Sequence, residues 1–340
     1  MSEERGLAWR LASHLKKYML AYTVLSIVLA VVVGHFASYA LARISKGTYT
    51  DLVMVLAIAT VYPSMMQLRG EALGSAFKQW KGLLLSLAYV FLLAPFMAFA
   101  LAPALGKRIG MGFMVVNVVP AGSASVGYVL IAGGSIELAT ALAIASLVVA
   151  IPAIPLYLGF YGSRSSVSVP ISPIMSSILC ILVLPLLVGQ LTRVLLIRGK
   201  NRESVEKQIG PYLSTTTLLS LFALIFLLVM KEANFLIAKP YVVGAIVGFQ
   251  ALVIVATLTV SLVVSKALGF SYADHQAIAF TSTSKNQSVA AAIAMMALNP
   301  SAAIVPALIP VIQPTVAIAY MYFDDAIKGF LKGQKEQEQS

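Results

Sequence analysis

The sequence predicts an all-α integral membrane protein of ten transmembrane helices, built as two inverted five-helix repeats with broken, crossing helices 4 and 9. Three observations carry that prediction. Hydrophobic residues make up 59% of the 340 residues and charged residues 11%, where a soluble globular chain carries about 25% charged. The apolar residues fall into ten runs of membrane-crossing length, and the fourth and ninth runs are interrupted by small polar residues at matching places in the two halves. A chain this apolar cannot cover a water-facing surface. Soluble enzymes, nucleic-acid-binding modules and secreted disulfide scaffolds are excluded.

A helix crossing the ~30 Å hydrocarbon core needs about 20 mostly apolar residues. The first run follows Arg5, Arg10, Lys16 and Lys17 and exceeds the ~7–15 residues of a secretory signal core, so it reads as a retained helix. Breaks at charge clusters and at Gly, Pro, Ser and Asn place spans 1 to 5 at 19–42, 51–67, 80–101, 111–131 and 136–160. Spans 6 to 10 follow at 170–192, 211–230, 240–265, 275–298 and 301–323. The stretch from Leu68 to Trp80 reads as a surface amphipathic piece. Residues 1–165 form the first repeat, 166–325 the second, and 326–340 a disordered cytoplasmic tail.

The net charge of +11 sits almost entirely in short loops, where it meets anionic membrane lipids and calls for no nucleic acid. With the N-terminus inside, inward-facing segments carry 16 Lys and Arg and outward-facing loops 7. That bias predicts a multi-pass protein of the plasma (inner) membrane with both termini cytoplasmic. The single cysteine, Cys180, rules out an internal disulfide and a multi-cysteine metal cluster, and it packs as a small hydrophobe. No phosphate-loop motif appears, which argues against direct ATP drive. His14, His35 and His275 are too dispersed for a metal site, and no cofactor is implied.

Leu105 to Ser135 and Leu268 to Ser301 share one layout: a Leu-Gly, an apolar half-helix, a cluster of small polar residues, a second apolar half-helix, and a tight turn ending in Ser. They are the fourth span of each half. Five spans per half is odd, so the second half lies upside down, the inverted-repeat plan in which interrupted helices meet near the midplane and supply the substrate site. Pro120 removes a backbone donor, and Gly122, Ser123 and Ser125 favour helix weakly, so span 4 unwinds around Val119 to Ser125. Span 9 carries eight consecutive polar residues, from Thr281 through Thr283, Ser284, Lys285, Asn286 and Gln287 to Ser288. Lipid cannot face that stretch, and unwound backbone at this depth is tolerated only inside protein or against a watery cavity. The freed amides and carbonyls are expected to bind ions or polar substrate.

Tyr62-Pro63-Ser64-Met65-Met66, Lys81-Gly82-Leu83 with Ala94-Pro95-Phe96, and Gly269-Phe270-Ser271-Tyr272 leading to Ala279-Phe280-Thr281 resemble the arsenite efflux permeases of the arsenical-resistance type, within the bile acid:sodium symporter superfamily. The resemblance covers Asp51 to Tyr320 and implies a panel-and-core architecture with substrate held beside the crossing. The departures carry information too. Those permeases have a cysteine just after the span 4 proline, where this chain has Ala121; they have acidic residues where Ser288 and Gln313 align. The bile acid branch holds sodium with a glutamate that aligns near Ser282.

No Asp or Glu lies mid-span, and the one charge at bilayer depth is Lys285. A charge there costs at least ~2.5 kcal/mol and marks function. Three roles stand for it: an ammonium occupying the space where relatives hold sodium, joined by Asn286, Ser123 and carbonyls; a proton carrier; or the counter-ion of an anionic substrate, helped by half-helix N-termini. The bland alternative is that it snorkels or pairs with a carbonyl without acting in transport. Asn117 and Gln313 are read as facing the cavity, and Gln67 and Tyr62 as lining its inner mouth, with interhelical hydrogen bonding the competing role for each.

The function expected is secondary active transport of a small anionic or polar organic solute by alternating access, sodium-independent or proton-coupled. Arsenite or antimonite efflux and sodium-coupled organic anion symport are the alternatives. An intramembrane enzyme would need a nucleophile, an acid–base pair or a metal set, and the crossing holds no Asp, Glu or Cys.

Overall fold

The computed structural model describes residues 7–68, 79–199 and 202–332. The expected amphipathic piece between Leu68 and Trp80 falls largely outside them. Helices are numbered here in chain order: α1 Leu7–Lys17, α2 Met19–Phe36, α3 Ser38–Ala42, α4 Lys46–Gln67, α5 Trp80–Ala88, α6 Ala94–Leu101, α7 Gly106–Val118, α8 Ala124–Ile131 and α9 Ile136–Ser165. The second half holds α10 Ile171–Ile178, α11 Leu184–Ile197, α12 Arg202–Lys231, α13 Ala233–Ala238, α14 Pro240–Ala267, α15 Tyr272–Thr283, α16 Gln287–Ile293, α17 Pro300–Met321 and α18 Asp324–Lys332. Apart from one isolated bridge, the described residues contain no β-structure.

This is an integral membrane protein: eight helices among the described residues are long and apolar enough to cross a membrane. The expected fourth and ninth spans are not among the eight as intact rods. Each is two short pieces, α7 with α8 and α15 with α16, none of which reaches the ~30 Å that a crossing needs at ~1.5 Å per residue. The helical path from Trp80 to Val118 also runs on where two separate spans were expected, through a 3₁₀ turn at Ala102–Leu105 and Gly106 at φ 76°, a value glycine adopts without strain.

Among the described residues there are three π turns: Tyr89–Leu93 and Leu179–Val183 interrupt longer helices, and Ala294–Leu298 ends one. Each ends two residues before a proline: Pro95, Pro185 and Pro300. Where the proline continues the same helix, at Pro95 and Pro185, its ring crowds the carbonyl four residues back and offers no N–H, and widening the preceding turn to i→i+5 relieves the crowding; Pro300 instead starts a new helix after the extended Asn299.

The chain divides into two compact units that each draw on both halves of the sequence. The first lies within Met1–Leu68, Ser168–Gly244 and Ser288–Val311. Here α12 packs against α1, α2 and α4, and α11 against α4. Close approach is set by small residues: a Cβ on Gly34 would stand 2.2 Å from the carbonyl oxygen of Met230. Arg193 is buried with Glu206 at 2.5 Å, and Arg202 reaches the same carboxylate at 3.0 Å.

The second unit lies within Arg69–Val167, Ala245–Gln287 and Ile312–Ser340. At its centre α9 packs against α5, α7, α8 and α15. Ser135 caps α9 by accepting from the Leu138 amide, and Ser271 caps α15 by accepting from the Asp274 amide. The core between these helices is Leu138, Leu142, Ala277, Ile278 and Phe280.

The tail expected to be disordered from residue 326 is helical through Lys332, because α18 buries Ile327 and carries a Lys328–Asp324 pair at 2.6 Å one turn apart. Residues 333–340 of that tail lie outside the described residues. Burial works against the Asp324 charge, but hydrogen bonds from Lys328 and Tyr272 outweigh it and hold the carboxyl below its usual range.

Candidate functional site

The breaks of the two interrupted helices meet inside the second unit. Helix α7 ends because Val119 is extended and Pro120 has no N–H. Helix α15 ends at Thr283, followed by Ser284 in extended backbone at φ −91°, ψ 92°. The two extended stretches pair as an antiparallel bridge between Ala121 and Lys285. The Gly122 amide donates to the Ser284 carbonyl at 2.7 Å, and the Asn286 amide donates to the Pro120 carbonyl at 2.9 Å. Each break therefore satisfies groups that the other break exposed, which is how unwound backbone survives in an apolar interior.

Side chains satisfy the groups between. The Ala121 amide donates to Ser146 Oγ at 3.0 Å, and the Lys285 amide donates to Gln313 Oε1 at 3.2 Å. Gln313 also donates to Ser284 Oγ at 2.9 Å and accepts from Gln287 Nε2 at 3.2 Å. The expectation that the freed backbone is open to a guest is thus corrected in large part: at residues 120–122 and 284–286 most of it is engaged within the crossing. Gly122 sits where a Cβ would stand 3.1 Å from the Lys285 carbonyl oxygen, so a side chain there would push the two strands apart by a few tenths of an ångström.

Lys285 does not snorkel. Its side chain is 3% exposed, and Nζ donates to the carbonyls of Val90 at 3.0 Å and Asn117 at 3.2 Å. The ring centroid of Phe91 lies 5.9 Å from the same nitrogen, within the range in which an aromatic face attracts a cation. Asn117 belongs to the last turn of α7, the negative end of that helix, which favours a cation.

Residues 53–239 match the family described as the sodium bile acid symporter family, more than half of the 340-residue chain. The chain belongs to that family. Over 151 residues, 44% of this family member, it is 27% identical to an arsenical-resistance protein, Acr3, of Corynebacterium glutamicum. The aligned stretch is 41% of that relative, so the chain spans about two-fifths of the length of the curated relative it matches. Both comparisons agree with the resemblance read from the motifs.

Within this symporter-family chain the predicted site residues separate into groups. Pro120, Gly122, Ser284, Lys285, Asn286, Gln287 and Gln313 come together at the bridge. Ser125 is buried and donates to the Gly122 carbonyl at 2.7 Å, closing the turn into α8. Ser123 and Asn286 are half-buried, the polar residues of the crossing that keep some access. Thr283 instead bonds back to the Ala279 carbonyl of its own helix at 2.9 Å. Ser288 is buried and counts with the first unit.

Asn117 is fully buried: it donates to the Phe113 carbonyl at 2.9 Å and to Gln250 Oε1 at 3.0 Å, so its side chain makes the interhelical bond that was the competing reading. Tyr62 donates to Thr192 at 3.0 Å and Gln67 to the Pro63 carbonyl at 3.3 Å, both within the first unit. Sequence reasoning missed Gln250, Ser146 and the Ser86–Ser282 hydroxyl pair at 3.1 Å. Gln250 had a visible signal, as a lone amide in the middle of the apolar span 8. The carbonyl of Val90 had none, since a backbone acceptor leaves no mark in side-chain chemistry.

Proposed function

We propose that the chain is a secondary active transporter that moves a small anionic or polar organic solute by alternating access, with the ammonium of Lys285 serving as a built-in cation at the crossing. The observation that carries this is the Lys285 nitrogen held by two backbone carbonyls beside the bridged breaks. Of the three roles open to this lysine, the resident cation fits that geometry best. A counter-ion for substrate would need to face the guest, and this side chain is almost fully buried. A site that already contains its positive charge has no need to recruit sodium, so transport is sodium-independent, with protons the remaining candidate for coupling.

On this reading α7 with α8 and α15 with α16 count as spans 4 and 9, which brings the total to ten and gives two inverted repeats. The protein then lies in the plasma membrane with both termini cytoplasmic, as the loop charges favour. Solute selection falls to Ser123 and Asn286, together with the N-terminus of α8.

Arsenite efflux is the second reading, favoured by the likeness to an arsenical-resistance protein. Against it stands Ala121, where a thiolate for trivalent arsenic would be wanted; the single cysteine, Cys180, lies in a π turn of the first unit.

The test is uptake of a panel of small organic anions into proteoliposomes, with sodium and proton gradients imposed separately. Uptake indifferent to the sodium gradient is expected, and sodium-driven accumulation would overturn the sodium-independent transport reading. Rescue of an exporter-deficient host from arsenite would replace the organic solute with the second reading.

A further inference from the structure

The two carbonyls that hold Lys285 share one property: neither is occupied by a helical amide, which for Val90, in the middle of a helical path, is exceptional. In the π turn the Ala94 amide donates to the Tyr89 carbonyl, five residues back. The next amide in that register belongs to residue 95 and would reach Val90; in ordinary α register it would reach Phe91. Residue 95 is proline and has no N–H. Both carbonyls are thereby left open, and both are filled from outside the helix: Val90 by Lys285 Nζ at 3.0 Å, and Phe91 by the Tyr157 hydroxyl. At the end of α7 Asn117 is open for a simpler reason, as one of the last carbonyls of a helix, which have no helical amide ahead of them. Its α-register partner, the Ala121 amide, lies beyond Pro120 and donates to Ser146 instead.

We propose that Pro95 is a positioning residue that, with the open C-terminal end of α7, builds a receptor for one primary ammonium, with Lys285 as its tethered occupant. The inference rests on the built-in cation proposed above and adds what creates its seat and what class of cation the seat takes. Two oxygens at 3.0 and 3.2 Å stand at N–H···O distances, and the third side is the aromatic face of Phe91. That set suits an alkylammonium, which brings its own hydrogens and tolerates an aromatic neighbour. Two oxygens and a ring are too few ligands for a bare alkali cation. Tyr157 completes the device by taking Phe91, so the ammonium is aimed at Val90.

The experiment uses a cation that restores the missing atoms. Lys285→Ala removes three methylenes and the nitrogen, and propylammonium supplies the same four heavy atoms. In purified full-length Lys285→Ala, propylammonium is expected to raise the melting temperature in a saturable way, following the linkage relation for a ligand that binds only the folded state. Sodium at equal concentration is expected to give no such shift. Lys285→Ala/Pro95→Ala, in which an N–H returns at position 95 and competes for the carbonyl, is expected to lose the propylammonium shift. No shift in the single variant, an equal shift with sodium, or an undiminished shift in the double variant would each overturn the receptor.

Should Lys285→Ala fail to fold, Pro95→Ala alone serves. Acetic anhydride labelling of Lys285 relative to Lys266, read by mass spectrometry, is expected to rise several-fold, and an unchanged ratio would remove Pro95 from the account. Sodium-driven uptake by the unmodified protein, alongside an intact propylammonium shift, would sink the transport reading and leave the receptor standing.

Discussion

The two breaks in the second unit reach the same extended geometry by opposite routes. At Val119 to Ser123 the interruption is covalent: Pro120 cannot donate, and Gly122 lets the opposing strand come close. At Ser284 to Asn286 no residue is a strong helix breaker, and the stretch is held open by what it touches, namely Gln313, the bridge to the first break, and the two carbonyls around Lys285. One break is marked by the chain's own residues and the other only by its partners, although the bridge holds both. The lesson is asymmetry: the second break should be far more sensitive to substitution of its neighbours than the first is to substitution of its own proline.

The sharpest way to break that comparison is at Lys285. Lys285→Ala should cut solute uptake in proteoliposomes by about 100-fold, a loss of ~2.7 kcal/mol at ~1.36 kcal/mol per tenfold, while the protein still inserts into membranes. Next comes Gln313→Leu, which strands the Lys285 amide and the Ser284 hydroxyl in an apolar interior. A stability loss of about 3 kcal/mol is expected from thermal or denaturant unfolding in detergent, at the upper end for unpaired buried groups. Gly122→Ala pushes a methyl against the Lys285 carbonyl carbon and oxygen, at 3.3 and 3.1 Å. Backbone atoms cannot swing aside, so about 2 kcal/mol should be lost in the same assay.

Pro120→Ala should cost under ~1 kcal/mol, the entropy of a less constrained unfolded chain, because the bridge keeps the break open once folded. A larger loss would mean that the proline, and not the pairing, maintains the crossing. The smallest effect is expected far from both breaks. The Asp324 carboxyl is held below its usual range, so its contribution to docking α18 is complete at neutral pH and fades only as pH falls through that lowered value. Hydrogen-exchange protection of α18, corrected for intrinsic rates, should be flat down to about pH 4, near the unfolded value of ~3.9, and decline below it.

Much of this was legible in the residues because the membrane simplifies the reading. Charge scarcity marks the solvent, and a polar run inside an apolar one marks a break, so Pro120, Gly122 and the stretch from Ser284 to Gln287 were found from side-chain chemistry alone. The lone Lys285 was legible for the same reason. What escaped was everything carried by backbone. Nothing at Val90 announces an acceptor, and the role of Pro95 becomes visible only when the carbonyls it leaves open are seen to be filled by Lys285 and Tyr157. Asn117 and Thr283 show the converse: polar side chains in an apolar helix are bonded to Gln250 and to the carbonyl of Ala279, and for Asn117 that interhelical bond is the competing role its residue type left open. The helical tail after Asp324 was missed because nine residues with one buried isoleucine give too short a pattern to read.

The wide turns ahead of Pro95 and Pro185 also set the beat of the spans that contain them. Gly82, Ser86, Val90, Ala94, Ala98 and Ala102 are all buried, every fourth residue along the third span. In a regular helix of ~3.6 residues per turn, steps of four precess by ~40° each, or about 200° across that series. The turn at Tyr89–Leu93 takes back about 100° by inserting one extra residue, so a single seam of mostly small side chains runs the length of the span. Ser177, Ile181, Pro185, Gly189 and Arg193 keep the same four-step beat around Leu179–Val183. A strict period of four in a bilayer-crossing sequence, running through a proline, is thus a phase correction made visible, and deleting one residue from either turn would swing the far half of that span's seam out toward lipid.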